Sequence, residues 1–166
     1  PDAADYIDPY AFWNCDALRK VRLPNTLSFI MSNTFWGCTA LEEITIPASV
    51  IKIGADAFSC CENLKQVEIP GEVRKVGEGA FRNCRNLTSV VIHAGDKQIE
   101  KYAFRGCHEL KHITISDGVK CDQYAFEAEQ TALIQYFPEG EEPRPDVSVA
   151  DAFMNQLKCT VCGQSA

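Results

Sequence analysis

Two cysteines near the C-terminus have a spacing that can carry chemistry. Cys159 and Cys162 form a C-x-x-C pair followed by Gly163. A pair of this kind can supply half of a zinc site, act as a redox or disulfide couple, or be no more than a tail with two thiols. A complete zinc site needs two further ligands, and the sequence nearby offers no second C-x-x-C and no suitably spaced histidine pair. The pair is a weak metal candidate, and the three interpretations stay open.

Other signals for catalysis are missing from the sequence. It contains no nucleophile elbow, no H-E-x-x-H motif, no phosphate-binding glycine loop and no paired carboxylate motif. His108 and His112 have the i, i+4 spacing of a helical metal pair, but Leu110 to Ile115 should be a strand, which would separate them. We therefore predict a protein that is not an enzyme and uses no cofactor.

Most of the remaining cysteines belong to an internal repeat. Phenylalanine recurs at intervals of 23, 23, 23, 23 and 22 residues. Cysteine follows it after three residues and leucine after six in five successive units. The columns are Phe12, Phe35, Phe58, Phe81, Phe104 and Phe126; Cys15, Cys38, Cys61, Cys84 and Cys107; and Leu18, Leu41, Leu64, Leu87 and Leu110. Cysteines that all point the same way cannot face each other as disulfides require, so we interpret this column as buried free thiols.

Each unit has the pattern of one strand and one tight turn. Val67 and Ile69 alternate with Gln66 and Glu68, which is typical of a half-buried strand. Pro70 then ends the strand because proline has no N–H to donate. The spacing of three between the Phe, Cys and Leu columns fits a short helical turn. Since no unit can bury its own apolar side, the units must stack, with one parallel strand each.

The unit resembles the BspA-type leucine-rich repeat, I-x-x-x-A-F-x-x-C-x-x-L-x-x-I-x-I-P. The matching residues of one unit are Ile53, Ala57, Phe58, Cys61, Leu64, Val67, Ile69 and Pro70. The resemblance implies an α/β fold, a right-handed β-α superhelix (solenoid) with one parallel strand per repeat and short helical turns. It also implies a family found largely on the surfaces of bacteria and protists, acting in adhesion and ligand binding. A cell-surface or extracellular location rests on that resemblance alone, and the family has no catalytic residues to carry over.

The chain divides into three parts. Residues 1–137 form the repeat array, with about five full repeats and a degenerate sixth. Residues 138–146 are rich in proline and glutamate, which predicts a loop. Residues 147–166 hold a degenerate terminal repeat and the C-x-x-C tail, and we expect them to form an irregular C-terminal cap. The array enters the pattern mid-unit at Tyr6, so we expect a further repeat or another chain to contact the N-terminal end.

The outward positions of the predicted strands form the first candidate binding surface. Solenoids often bind partners on the concave face of their sheet. The face carries charges of both signs and no aromatic cluster, which suits either a protein-binding surface or a merely solvated one. Its residues are Lys20, Arg22, Glu43, Thr45, Gln66, Glu68, Ser89, Val91, His112 and Thr114.

Trp13 and Trp36 form the second candidate surface. Each follows a repeat phenylalanine by one position, which Ser59, Arg82 and Arg105 occupy in later units, so we expect this position to face outward. Two tryptophans on adjacent coils would stack into an exposed aromatic patch, and aromatic anchors are enriched at binding hot spots. The alternative is that they pack beneath a cap or a loop.

Composition narrows the class of partner. The formal net charge is -7, which disfavours a nucleic acid, and no apolar run approaches the ~20 residues needed to span a membrane. We predict a leucine-rich-repeat interaction module for a protein partner or surface ligand, part of a larger cell-surface or secreted adhesion protein. The alternatives are a structural subunit of a larger assembly and a thiol- or zinc-dependent function through Cys159 and Cys162.

Overall fold

The segments in which apolar and polar residues alternate form a four-stranded parallel sheet. The computed structural model describes residues 5–137. Its strands are β1 (Tyr6–Ile7), β2 (Phe29–Ile30), β3 (Lys52–Ile53), β4 (Gln66–Ile69), β5 (Lys75–Val76), β6 (Ser89–Ile92), β7 (Gln98–Ile99), β8 (His112–Ser116), β9 (Lys120–Cys121) and β10 (Ile134–Phe137). Strands β4, β6, β8 and β10 pair side by side, so that Val67, Val90 and Ile113 lie in one buried column.

A second sheet corrects the expectation of one strand per repeat. Strands β1, β2, β3, β5, β7 and β9 form a six-stranded parallel sheet from the variable stretch before each Ala-Phe motif. Four of the six short strands place an apolar residue in the core, namely Ile30, Ile53, Val76 and Ile99. Ile7 of β1 is half-buried and Cys121 of β9 is exposed. In the first two coils the other sheet is reduced to an isolated bridge between Lys20 and Glu43. The strands are therefore two per coil in the middle of the array.

Left-handed turns replace the predicted helical turns. Around each of the first five repeat phenylalanines, two residues have positive φ between 50° and 78°. They are Tyr10, Asn33, Asp56, Gly79 and Tyr102 before the ring, and Asn14, Gly37, Cys60, Asn83 and Gly106 after it. A right-handed helix cannot continue through such residues. Alternate N–H groups of each turn donate to the next coil, as Phe35 does to the Ala57 carbonyl at 2.8 Å, and the N–H groups between them donate three residues back within the turn, as Trp36 does to Asn33. The short helical turns are thus not confirmed, and the helix seen within residues 5–137 is a 3₁₀ segment, Thr131–Leu133.

The core consists of side chains stacked on their counterparts in the next coil. The six repeat phenylalanines form one continuous stack, with ring centroids 4.8–5.3 Å apart and rings within 5° of parallel. The leucine and β-branched columns are buried beside it in every coil except the first. There Phe12, Leu18 and Val21 are half-buried, because no earlier coil covers them among the described residues.

Two polar side chains finish the last described coil. Glu127 accepts a hydrogen bond from the Gly106 N–H at 2.9 Å, where earlier coils offer a backbone carbonyl. Gln130, which is buried, donates to the Cys107 carbonyl at 2.7 Å. Side chains therefore replace the backbone partners of a further coil. The predicted loop at 138–146 and the terminal repeat at 147–166 lie outside the described residues.

Candidate partner-binding surfaces

The outward face of the four-stranded sheet has the two columns expected from the sequence. Gln66, Ser89 and His112 are register partners. Glu68, Val91 and Thr114 form the parallel column two residues along the strands. The remaining predicted members, Lys20, Arg22, Glu43 and Thr45, are all exposed in the first two coils.

Charges on this face are largely paired with each other. The Lys20 ammonium forms an ion pair with the Glu43 carboxylate of the next coil. The Glu68 carboxylate contacts the imidazole Nε2 of His93, which stands where earlier repeats have proline, and this contact is an ion pair only when His93 is protonated. Exposed pairs of this kind contribute little to stability, and they leave a face with no strong field of either sign. The face can support a contact, but it has no dominant anchor.

The two tryptophans form the aromatic surface expected from their spacing. The ring centroids of Trp13 and Trp36 lie 5.7 Å apart, with 24° between the ring planes. Trp13 is 51% exposed and Trp36 is half-buried. Left-handed residues directly after each tryptophan, Asn14 and Gly37, bend the chain so that the rings lie outside the Phe stack. We call these two side chains the Trp patch.

The position directly after the repeat phenylalanine holds other side chains in the later coils. Arg105 is exposed, with its guanidinium 5.2 Å from the centre of the Tyr102 ring. Arg82 forms a 2.9 Å ion pair with Asp56. Ser59, however, is fully buried, so the expectation that this position faces outward is wrong there. The side chain is short and lies in the column between Trp36 and Arg82, whose larger side chains can screen it from solvent.

The repeat cysteines are free thiols that donate weak hydrogen bonds. The sulfur of Cys61 lies 3.2 Å from the Phe35 carbonyl oxygen one coil earlier, and Cys84 makes the same contact with Phe58. Burial raises the pKa of both thiols well above the ordinary value, with further contributions from neighbouring cysteines in the column. Such thiols are poor nucleophiles and poor metal ligands. The interpretation of this column as buried packing residues is confirmed for Cys38, Cys61, Cys84 and Cys107, whereas Cys15 is half-buried.

No metal site or membrane helix is found in the described part of the chain. Within residues 5–137, no group of three or more histidine, cysteine or acidic side chains could hold a metal ion. His108 and His112 are both exposed, and His112 lies on β8, as the sequence predicted. None of the helices in that range is long and apolar enough to cross a membrane. Cys159 and Cys162 lie outside the described residues.

A buried lysine is a feature that the sequence analysis missed. Lys97 is 2% exposed, and its Nζ donates to the Pro70 carbonyl at 2.8 Å. Burial lowers its pKa to about 8, against the opposing effect of the Glu72 carboxylate. One feature of the sequence could have indicated this burial. Asp96 occupies the repeat position at which the preceding coil has the buried Val73, so this coil lacks an apolar residue there. The alkyl chain of Lys97 occupies core volume in the coil that lacks this valine.

The coil geometry suggests a leucine-rich repeat protein, and comparison with protein families identifies the family. A family model described as the BspA type leucine rich repeat region matches six times over residues 5–132. The chain belongs to the BspA-type leucine-rich repeat family. This BspA-type array has no match among curated proteins.

Solved structures of bacterial leucine-rich repeat proteins share the fold of this BspA-type array. A leucine-rich repeat protein from Bacteroides ovatus ATCC 8483 is 30% identical with a TM-score of 0.67, covering 83% of this chain and 36% of that one. A leucine rich cell surface protein from Faecalibacterium prausnitzii A2-165 is 22% identical with a TM-score of 0.64, covering 87% and 35%. The pneumococcal vaccine antigen PcpA is 22% identical with a TM-score of 0.67, covering 85% and 35%. The chain thus spans about a third of the length of each of these proteins.

Proposed function

We propose that this array is a non-catalytic interaction module that binds a protein partner or surface ligand through the Trp patch. The observation that carries the proposal is the stacked, partly exposed pair Trp13 and Trp36. The core does not need these rings, because the continuous Phe stack already fills the inner side of the turns. Large aromatic side chains that remain accessible are the most common anchors of protein interfaces.

The outward face of the four-stranded sheet would contribute a secondary, polar contact. Its exposed glutamates already have partners, the Lys20 ammonium for Glu43 and the His93 imidazole for Glu68. Contacts to this face would therefore orient the partner and discriminate between partners, and would add little to the affinity. Tyr10 is 60% exposed and lies three residues before Trp13, so it enlarges the aromatic side of the contact.

We place the module in a cell-surface or secreted adhesion protein. Support comes from the family and from the structural similarity to the Faecalibacterium protein, which is a leucine rich cell surface protein. The chain spans only part of these proteins, so the location and the adhesive role are proposals about the whole polypeptide.

A structural role in a larger assembly is the second candidate. The half-buried core residues Phe12, Leu18 and Val21 of the first coil favour it, since a further coil or another chain would complete their burial. Sedimentation velocity over a range of protein concentrations separates the two roles. Self-association that Leu18→Asp abolishes would favour assembly through the first coil, and a monomer throughout would argue against self-assembly at that end.

The test of the main proposal uses the fact that the chain has two tryptophans, both in the Trp patch. Partners are captured from surface and secreted fractions of the source organism and then titrated singly against the purified chain. A partner seated on the Trp patch should shift the tryptophan emission and protect it from acrylamide quenching. Trp13→Ser/Trp36→Ser should lose that partner while keeping the unfolding midpoint of the wild type.

Two further variants act as controls. Tyr124→Ser removes another exposed aromatic ring, one that lies at the opposite end of the array, and should bind normally. Glu43→Lys/Glu68→Lys reverses the charge of the sheet face and should weaken binding only modestly. Equal affinity for wild type and the tryptophan variant would refute the Trp patch as the anchor.

A further inference from the structure

The six-stranded sheet carries a single column of outward side chains with a distinct chemistry. The column runs in continuous register through β1, β2, β3, β5, β7 and β9. Its residues, in order, are Tyr6, Phe29, Lys52, Lys75, Gln98 and Lys120. Two aromatic residues therefore precede three lysines in a chain whose net charge is -7. We call this set the outer column.

The aromatic end of the outer column is accessible. Tyr6 is 57% exposed and Phe29 is 40% exposed, on strands whose inward residues are the half-buried Ile7 and the buried Ile30. They are register partners on neighbouring strands, so their backbones are about one strand spacing apart, roughly 4.8 Å. Exposed aromatic side chains on adjacent strands offer successive apolar contacts to a ligand that lies along the solenoid axis.

The basic end of the outer column has cations available to an anion. Lys52 is exposed and forms no ion pair with any described residue. Lys75 pairs with Glu100 at 2.6 Å, and Lys120 with Asp96 at 3.4 Å in a contact that is almost fully exposed. An incoming carboxylate can displace the exposed Lys120–Asp96 pair, because such a pair contributes little on its own. The Lys75–Glu100 pair is half-buried, and Glu100 also accepts from the Glu78 N–H, so Lys52 is the more available cation.

A groove runs beside the same residues. It has a volume of about 650 Å³, and its wall includes Ile51 and Arg74, the residues directly before Lys52 and Lys75. The Arg74 guanidinium is exposed and has no ion pair among the described residues. Ser49, Glu72 and Asp96 supply further polar groups to the wall. The outer column thus has a concave flank that contains an apolar side chain and a second free cation.

We propose that the outer column and its groove bind an acidic polysaccharide, such as a uronic acid polymer, laid along the solenoid axis. One pyranose unit of an extended β-linked chain advances by nearly the distance between adjacent coils. Sugar rings can therefore stack on Tyr6 and Phe29, while uronate carboxylates reach Lys52 and Arg74. The six positions span roughly 24 Å at a strand spacing of ~4.8 Å, enough for several sugar units.

The column favours this ligand over other polyanions. Glu72, Asp96 and Glu100 lie beside the cations, and they would repel the dense phosphates of a nucleic acid or an anionic bilayer pressed against the whole face. A uronic acid chain carries one carboxylate on each sugar unit, along the edges of the ribbon, and presents apolar C–H faces on the sugar rings. These two features match the outer column, which is aromatic at one end and cationic at the other.

The test compares two sugar oligomers that differ only in their carboxylates. The purified chain is titrated by calorimetry with a β-linked mannuronate oligomer and with the neutral mannan oligomer of the same length. Lys52→Gln/Arg74→Gln should weaken mannuronate binding about tenfold or more, because it removes two charged hydrogen-bond donors without leaving a paired carboxylate behind. Tyr6→Ser/Phe29→Ser should weaken it independently, and added salt should weaken the wild type more than the charge variant.

A matched control removes the same charge elsewhere. Arg22→Gln/Lys65→Gln takes two exposed cations from other positions, and its affinity should stay within about twofold of wild type if binding is local. The same loss in this control would overturn the site, as would equal binding of the neutral mannan. Tighter binding of oligo-dT or of phosphatidylglycerol vesicles through the same residues would assign the column to another polyanion. The outer column shares no residue with the Trp patch, so either proposal can fail alone.

Discussion

The ammonium group of Lys97 donates a hydrogen bond to the Pro70 carbonyl oxygen from within a core that is otherwise almost wholly apolar. The two residues are 27 positions apart, so the contact joins successive coils. One carbonyl cannot replace the hydration that an ammonium loses on burial. This explains why the pKa of Lys97 falls from 10.5 to about 8, since burial outweighs the attraction of Glu72.

Replacing Lys97 by methionine should stabilise the array at neutral pH. Below pH 8 the folded chain must hold a buried charge that the unfolded chain solvates freely. Lys97→Met removes that penalty while keeping most of the apolar volume, with a gain on the order of 1–3 kcal/mol in the free energy of unfolding at pH 7. Urea unfolding at pH 7 measures the difference.

The pH dependence gives an independent check. Between pH 8 and 10.5 the unfolded chain binds the Lys97 proton more tightly than the folded chain, so wild-type stability should rise with pH in this window. Measurements are best kept below pH 9, because the buried thiols act in the opposite direction above it: burial raises the pKa of Cys38 from 9.0 to about 11. The gap between wild type and Lys97→Met should narrow from pH 7.5 to 9; a constant gap would contradict the assignment.

Deleting one ring from the middle of the Phe stack should strongly destabilise the array. Phe81 is fully buried, with its centroid 5.2 Å from Phe58 and 5.3 Å from Phe104. Phe81→Ala should lower the free energy of unfolding by about 3–5 kcal/mol, because each coil is stabilised mainly by its neighbours. Phe12→Ala removes a half-buried ring at the end of the stack and should cost clearly less. Equal losses in chemical denaturation would mean that the stack is not the main source of cohesion.

A glycine pair separates backbone strain from steric overlap. Gly106 and Gly118 both have positive φ, +78° and +85°. A methyl group at Gly106 would overlap the Asn83 side-chain oxygen of the preceding coil, whereas nothing lies within 4 Å at Gly118. Gly118→Ala should cost the left-handed strain alone, roughly 1–2 kcal/mol, and Gly106→Ala should cost more.

A double variant tests that interpretation. Asn83→Gly combined with Gly106→Ala removes the overlapping oxygen, so it should recover the extra loss and leave only the strain. Thermal unfolding of the wild type, the two single variants and the double variant completes this double-mutant cycle. Additive losses for Asn83→Gly and Gly106→Ala would rule out the predicted contact between these two residues.

Thiol reactivity should divide the cysteines by burial. In a Cys159→Ser/Cys162→Ser background, the four buried thiols should not react with Ellman's reagent at pH 7.5 until the chain unfolds. They are Cys38, Cys61, Cys84 and Cys107. Cys15 and Cys60 are half-buried and Cys121 is exposed, so these three should react in the folded state. Cys121 should react more slowly than its exposure alone suggests, because desolvation raises its pKa from 9.0 to about 11. Fast reaction of more than three thiols in the folded protein would show that the cysteine column is open to solvent.

The periodicity of this sequence was sufficient to predict which residues lie inside. Phe, Cys, Leu and β-branched residues recur at fixed positions, and stacking identical coils places each on its own counterpart. The outward columns of the β4–β10 sheet and the contact of Trp13 with Trp36 follow from the same repeat arithmetic. A fixed repeat length determines which residues are neighbours, whatever path the chain takes between them.

The path within each coil was decided by the tertiary structure. Spacings of three suit a helical turn as well as a left-handed one, and the choice follows from N–H groups that bond to the next coil instead of within a helix. Pairing between coils likewise turns a two-residue segment, too short to be a strand alone, into the sheet that carries Lys52 and Phe29. Lys97 and Ser59 are buried because of the residues around them in neighbouring coils. Such outcomes depend on contacts between coils, which no single repeat contains.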